Sequence, residues 1–193
     1  MQGLTYPDTA AMIQAILDQG YGMPVDQDLF KRVMRRWASG VSIVTTRLGD
    51  AAHGLTVSGF TGLSLDPPLV MVSIGHNQHS YAWIRHSGCF AVNFLRADQV
   101  DLSDLFAGRV VEAADRFASV AYRSEVSGAP IFEECLAWFD CRVVAAHVVG
   151  DHTLFVGEIL AGEVVSQAAP LIYHNGDYRR LLVDEMECAE RRL

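Results

Sequence analysis

Residues 41–75, VSIVTTRLGDAAHGLTVSGFTGLSLDPPLVMVSIG, decide the fold class. Three short runs within them, VSIVTTR (41–47), GLTVSGF (54–60) and LVMVSIG (69–75), are rich in β-branched and aromatic side chains. Turn chemistry separates them at Leu48-Gly49-Asp50 and Asp66-Pro67-Pro68. Runs of this length bounded by Gly, Pro and Asp predict strands joined by tight turns. The pattern continues downstream in CFAVNFL (89–95), CLAWFDCRVVAAHVV (135–149) and TLFVGEILAGEVV (153–165), with a further turn at Val149-Gly150-Asp151. Two short helical segments interrupt it, around His79 to His86 and Asp98 to Phe106, too few for the strand–helix alternation of a parallel sheet. Six or more strands are therefore predicted, in a mainly β, antiparallel barrel with inserted helices, whose closure removes exposed strand edges.

Upstream the period changes from two to 3.6. A helix is predicted to start near Asp26, with Leu29, Phe30, Val33, Met34 and Trp37 on one face, Lys31, Arg32, Arg35 and Arg36 mostly on the other, and Gly40 placed to end it. The basic run reads as the solvated side of that helix rather than a nucleic-acid surface. Residues 1–25 read as a helical arm, capped by Thr9, carrying Met12, Ile13, Ile16 and Leu17 at helical spacing and stopped by Gly20 and Gly22. The main domain is expected over 26–182, followed by a polar tail at 183–193.

The chain of 193 residues is 50% hydrophobic, enough for a single sizeable core without disulfide or metal staples. A formal charge of −8 gives no electrostatic footprint for nucleic acid or anionic membranes. No apolar run approaches the roughly 18 to 20 residues of a membrane span, and the N-terminus lacks signal-peptide organisation, so a soluble, cytoplasmic protein is expected. Cys89, Cys135, Cys141 and Cys188 form no CxxC pair and read as reduced thiols. An unbroken strand would place Cys135 and Cys141 on one face about 20 Å apart, too far to share a metal. His76 and His79 share a loop without an evident third ligand, so no metal site is expected.

No GxGxxG, Walker, HExxH or GxSxG motif occurs, which argues against Rossmann-type dinucleotide binding and the common hydrolases. In GLTVSGFTGLSLDPP, Thr56, Ser58 and Ser64 surround Phe60, while Gly54, Gly59 and Gly62 would let a planar ligand approach the backbone; a glycine-rich hairpin with surface hydroxyls reads the same way. In GHNQHSYAWIRHSG (75–88), Asn77, Gln78, His79 and Ser80 precede or open a helix. That is either an anion site or ordinary capping by Asn77 or Ser80.

The ordered segments FKRVMRRWASGVSIVTTR, HGLTVSGFTGLSLDPPLVMVSI, CFAVNFL, DLFAG, DRF, GDHTLFVGEI and PLIYHNGDYRRL, from about Phe30 to Leu181, resemble the flavin reductase-like family, whose members have the FMN-binding split-barrel fold. The resemblance implies a homodimeric, antiparallel, Greek-key split barrel that takes FMN or FAD and hydride from NADH or NADPH and hands reduced flavin to a separate monooxygenase. It implies flavin contacts at Gly54, Leu55, Thr56, Ser58 and Gly59, at Ser73, Ile74 and Gly75, at His79 and Ser80, and at Phe106. His152, Tyr173 and His174 match positions near the nicotinamide, and His152 is expected to orient it. Relatives commonly read T-x-N-S-F-x-S-x-S where this chain has Thr56-Val57-Ser58-Gly59-Phe60-Thr61-Gly62-Leu63-Ser64, so at least one flavin hydrogen bond must be re-made by backbone or water. Many carry Arg or Ser where this chain has His79, and Arg85 or Arg109 is expected to supply the missing charge. The arm is expected to pack across the dimer, over the flavin mouth or on its own subunit. Two rivals are an oxidoreductase or monooxygenase that retains its flavin and acts on an organic substrate, and a flavin carrier without activity.

Overall fold

The computed structural model describes residues 25–110 and 115–181. The predicted arm, apart from Val25, and the tail at 183–193 lie outside the described residues. In chain order the elements are α1 (Gln27–Met34), β1 (Ser39–Gly40), β2 (Ser42–Leu48), β3 (Ala51–Val57), β4 (Phe60–Leu65), β5 (Pro68–Gly75), α2 (His79–Ser87), β6 (Cys89–Phe94), α3 (Val100–Phe106), β7 (Tyr122–Ser124), β8 (Pro130–Phe132), β9 (Ala137–Val149), β10 (His152–Val164), β11 (Ile172–His174) and β12 (Asp177–Arg179). No described helix is long and apolar enough to cross a membrane.

Seven antiparallel strands make one sheet in the order β3-β2-β6-β9-β10-β5-β4. Its two edge strands, β3 and β4, are consecutive in sequence and joined only by Ser58 and Gly59. A two-residue link between opposite edges forces the sheet to curl until those edges meet at one end. No β3–β4 ladder forms among the described residues, so the barrel stays split along that seam. The predicted strand GLTVSGF is therefore two strands: its first half closes β3, Ser58-Gly59 break the pairing, and Phe60 opens β4 against Val72 of β5.

Alternation along the strands divides the core into two layers. Val44, Phe90 and Val92 point inward to Val72, Ile74 and Phe155, and Ile84 of α2 plugs the same interior. Their neighbours Ile43 and Ala91 point outward to Leu95, Phe106, Ile131, Phe132 and Leu171, beneath α3 and the β7–β8 hairpin. Each fully buried aliphatic or phenyl side chain stabilises the fold by roughly 1.5 to 3 kcal/mol relative to exposure. Outside this layer β11 pairs with β1 and β12.

Two expectations are corrected. Asp26 caps α1 by accepting from the Leu29 N–H at 2.7 Å, but the helix ends at Met34 rather than Gly40, because Ser39 and Gly40 pair with Tyr173 and Ile172. None of its residues is buried; Phe30 is 60% and nearby Trp37 71% exposed. Cys135 and Cys141 do not share a face. Cys135 precedes β9 and joins the outer core, while Cys141 joins the inner one. Burial pushes their thiols up to about 11 and about 12, so both are inert at neutral pH.

Candidate functional site

The predicted site residues fall into three groups along the split. At the end of β3, Thr56 and Ser58 line a cavity of about 160 Å³ with Val41, Ala107, Arg109, Tyr173 and Tyr178. A larger one of about 460 Å³ shares Ser58 and Tyr173 and lies between Gly59 and the apolar face of α1 (Phe30 and Met34), with Trp37 just beyond the helix. The Thr56 hydroxyl donates to the Ser103 carbonyl at 2.7 Å, and Ser103 is fully buried in α3. Ser58 is exposed, and its hydroxyl has no partner among the described residues. Ser73 donates its N–H to the Gly59 carbonyl at 2.9 Å, and a Cβ on Gly59 would stand 3.2 Å from the Ser73 Cβ. Ile74 points into the barrel and Leu55 packs against the same core, leaving mainly their backbone for a ligand.

The second group sits where β10 begins. The Nδ1 of His152 lies 2.7 Å from the Asp151 carboxylate, an interaction that holds Asp151 below the usual carboxylate range. A Cβ on Gly75 would meet the Asn77 amide oxygen at 2.9 Å and the His152 Nε2 at 3.5 Å, so only glycine fits there without a shift. His152 lines neither cavity. His174 precedes the Asn175-Gly176 turn, both of whose residues have positive φ, and it lines neither cavity either. Of the three nicotinamide candidates, the structure places only Tyr173 at the cavities.

The third group surrounds the start of α2. Its N-cap is Gln78, whose side chain makes no capping bond, so the expected capping by Asn77 or Ser80 does not occur. Exposed His79 opens the helix; next to it, Ser80 is 1% exposed and its Oγ has no hydrogen-bond partner among the described residues. His53 on β3 stacks on Trp83 of α2 with ring centroids 5.2 Å apart. Burial first, then the charges of Arg116 and His79, hold its pKa below the ordinary imidazole value. Arg116 donates to the Phe106 carbonyl at 3.4 Å and forms no ion pair among the described residues. The Phe106 ring lies 2.7 Å from where a Cβ on Gly54 would stand, so packing against Phe106 already accounts for the glycine.

A third arginine, Arg116, acts on this end of β3. Arg85 is exposed and donates to the Tyr81 phenol at 3.4 Å, Arg109 belongs to the small cavity, and the guanidinium that acts on His53 together with His79 is Arg116. Arg116 and Tyr178 stood in the segments DRF and NGDYRR, which marked the resemblance without carrying a role. No local pattern pointed to His53, Trp83 or Asp104.

β3 connects the first and third groups: His53 and Thr56 are three residues apart, about 10 Å at strand rise. Its edge runs from an aromatic-walled cavity to a helix end with a buried hydroxyl that has no partner among the described residues. That donor set fits a ligand with a planar ring at one end and an anion at the other, as in a flavin nucleotide.

Residues 34–182 match the flavin reductase like domain. The chain belongs to that family. It is similar to the NADH-dependent flavin reductase of a Rhodococcus species, at 40% identity over 154 residues, covering 78% of this chain and 84% of that protein. The reductase component of 4-hydroxyphenylacetate 3-monooxygenase from Thermus thermophilus is 35% identical over 156 residues, covering 81% and 97% respectively. Among solved structures, the flavin reductase PheA2 superposes with a TM-score of 0.76 at 38% identity, covering 82% of this chain and all of the other. The antiparallel split barrel expected from the sequence is the fold observed, and this family member is an NAD(P)H-dependent flavin reductase.

Proposed function

We propose that the protein works as a cytoplasmic homodimer that reduces FMN or FAD with NADH or NADPH and releases the product to a separate monooxygenase. The observation that carries the binding reading is the continuity of β3 between the aromatic cavity and α2, where the buried Ser80 hydroxyl has no partner among the described residues. Bound flavin supplies a hydride acceptor in its ring. The chain's own residues would do the rest. Thr56, Ser58 and the backbone of Gly59 and Ser73 to Gly75 hold the ring edge, while His79, Ser80 and Arg116 meet the phosphate. Tyr173 borders both cavities and would pack against the nicotinamide. No acid–base pair is needed, because hydride transfer depends on aligning two rings at close range.

His152 lines neither of the cavities that Tyr173 borders, so we assign it to orienting the dinucleotide from the hairpin end. His152→Ala that leaves both the apparent NAD(P)H affinity and turnover untouched would remove it from the site. Exposed Leu29, Phe30, Val33 and Met34 of α1, with Val144, Val148 and Val149 of the β9–β10 hairpin, supply apolar surface for a dimer. The activity is tested by anaerobic oxidation of NADH and NADPH with FMN, FAD and riboflavin titrated in. The rate is expected to depend on added flavin and to rank the flavins and the two nucleotides; a flavin-independent rate overturns the proposal. Flavin that stays bound through purification, with turnover stimulated by an organic substrate, would favour the flavin-retaining rival.

A further inference from the structure

Arg109 is the cation of the small cavity. Its guanidinium shares the walls with Thr56, Ser58, Tyr173 and Tyr178, whereas Asp104, its ion-pair partner, is not part of the lining. The pairing is well fixed. Arg109 Nη1 lies 2.7 Å from Asp104 Oδ1 and 3.3 Å from the Tyr178 phenol oxygen, and Cζ stands 5.7 Å from the Tyr178 ring centroid. The Tyr178 phenol in turn lies 2.8 Å from the same carboxylate oxygen and 2.9 Å from Ser103 Oγ. The Ser103 carbonyl accepts the Thr56 hydroxyl, so one network ties the guanidinium to the strand that borders the cavity. Half of the arginine side chain remains open, at 50% exposure against 31% for Asp104. A held, half-exposed arginine therefore borders the cavity, and the carboxylate that offsets it lies outside the lining.

That geometry matters for a ring whose charge changes. Adding a hydride to a neutral flavin ring delivers two electrons and one proton, leaving an anion until a second proton arrives from water. A fixed cation beside the ring favours this product over the neutral oxidised ring. Resting on the flavin reading above, we propose that Arg109 contacts the flavin ring and sets the difference in affinity between its reduced and oxidised forms, with Asp104 and Tyr178 as positioning residues that hold and attenuate its charge.

The test uses riboflavin, which has no phosphate, so the α2 end of the site does not enter. Dissociation constants of oxidised and anaerobically reduced riboflavin are measured for the full-length protein and its variants. R109Q is expected to lower the affinity of the reduced form relative to the oxidised form about tenfold, equivalent to about 30 mV in the two-electron potential of the bound flavin. D104N, which removes the offsetting carboxylate, is expected to move the ratio in the opposite direction. An unchanged ratio in R109Q, or an equal weakening of both forms, overturns the assignment; if D104N fails to fold, R109Q alone decides. Wild-type protein that binds riboflavin in neither form would bring down the flavin reading itself, an outcome distinct from failure of the Arg109 assignment.

Discussion

Ser80 and Ser103 are both buried serines on short helices packed against the barrel, and their hydroxyls have opposite fates. Ser103 in α3 is fully partnered: its Oγ meets the Tyr178 phenol and its carbonyl accepts the Thr56 hydroxyl. Ser80 in α2 has a hydroxyl with no partner among the described residues, two residues after an N-cap without a side-chain bond. Burying an unsatisfied hydroxyl costs about 1 to 3 kcal/mol. The α3 end is thus closed by its own hydrogen bonds, whereas the α2 end keeps a hydroxyl free, and the flavin reading proposed above assigns that hydroxyl to the bound phosphate.

The strongest way to break this comparison is Arg116→Gln. A charge-assisted hydrogen bond to phosphate is worth about 1.5 to 3 kcal/mol, so FMN affinity should fall on the order of ten- to a hundredfold while riboflavin affinity stays unchanged. Equal losses for the two flavins, measured by titration, would mean that Arg116 does not reach the phosphate. A smaller pair of effects sharpens the contrast between the serines. Ser103→Ala should lower stability in urea unfolding by about 1 kcal/mol, because the Tyr178 phenol loses a partner. Ser80→Ala should leave the ligand-free protein as stable or slightly more so, yet weaken FMN about fivefold. If Ser80→Ala destabilised as much as Ser103→Ala, the two ends would be alike.

The smallest effect concerns pH. His53 has its folded pKa depressed, so the ligand-free protein keeps it neutral below the unfolded value of about 6.5, and stability is lost as pH falls through that value toward the folded one. A bound phosphate favours the charged imidazole and raises the pKa again. The ratio of FMN to riboflavin affinity is therefore expected to rise a few-fold as pH falls from about 7.5 to about 5.5. A flat ratio would place the phosphate away from His53.

Local pattern was enough for the strand-rich core because period-two burial is a property of each strand alone: Ile43 and Val44, or Ala91 and Val92, announce their two faces in the order of residues. It failed where pairing overrode propensity. Ser39 and Gly40 look like the end of a helix but pair with Tyr173 and Ile172, some 130 residues downstream. The apolar face of α1 was legible as a stripe, while its exposure in the single chain was not. Gly54 reads like room for a ligand, and the space belongs to Phe106 from a helix about fifty residues away.

The family, the antiparallel class of the barrel, and the segments around Thr56, Ser80 and Tyr173 in which a flavin site would be sought are legible in the residues alone. These are written in short-range spacing and motif order. What no local pattern carried is set by contacts through space: Arg116 and His79 both act on His53, Asp104 and Tyr178 hold Arg109, and His152 lines neither of the cavities that Tyr173 borders. The physical reason is that a charge interaction depends on distance through space, and the curling of β3 toward β4 brings together side chains that no local pattern along the chain relates.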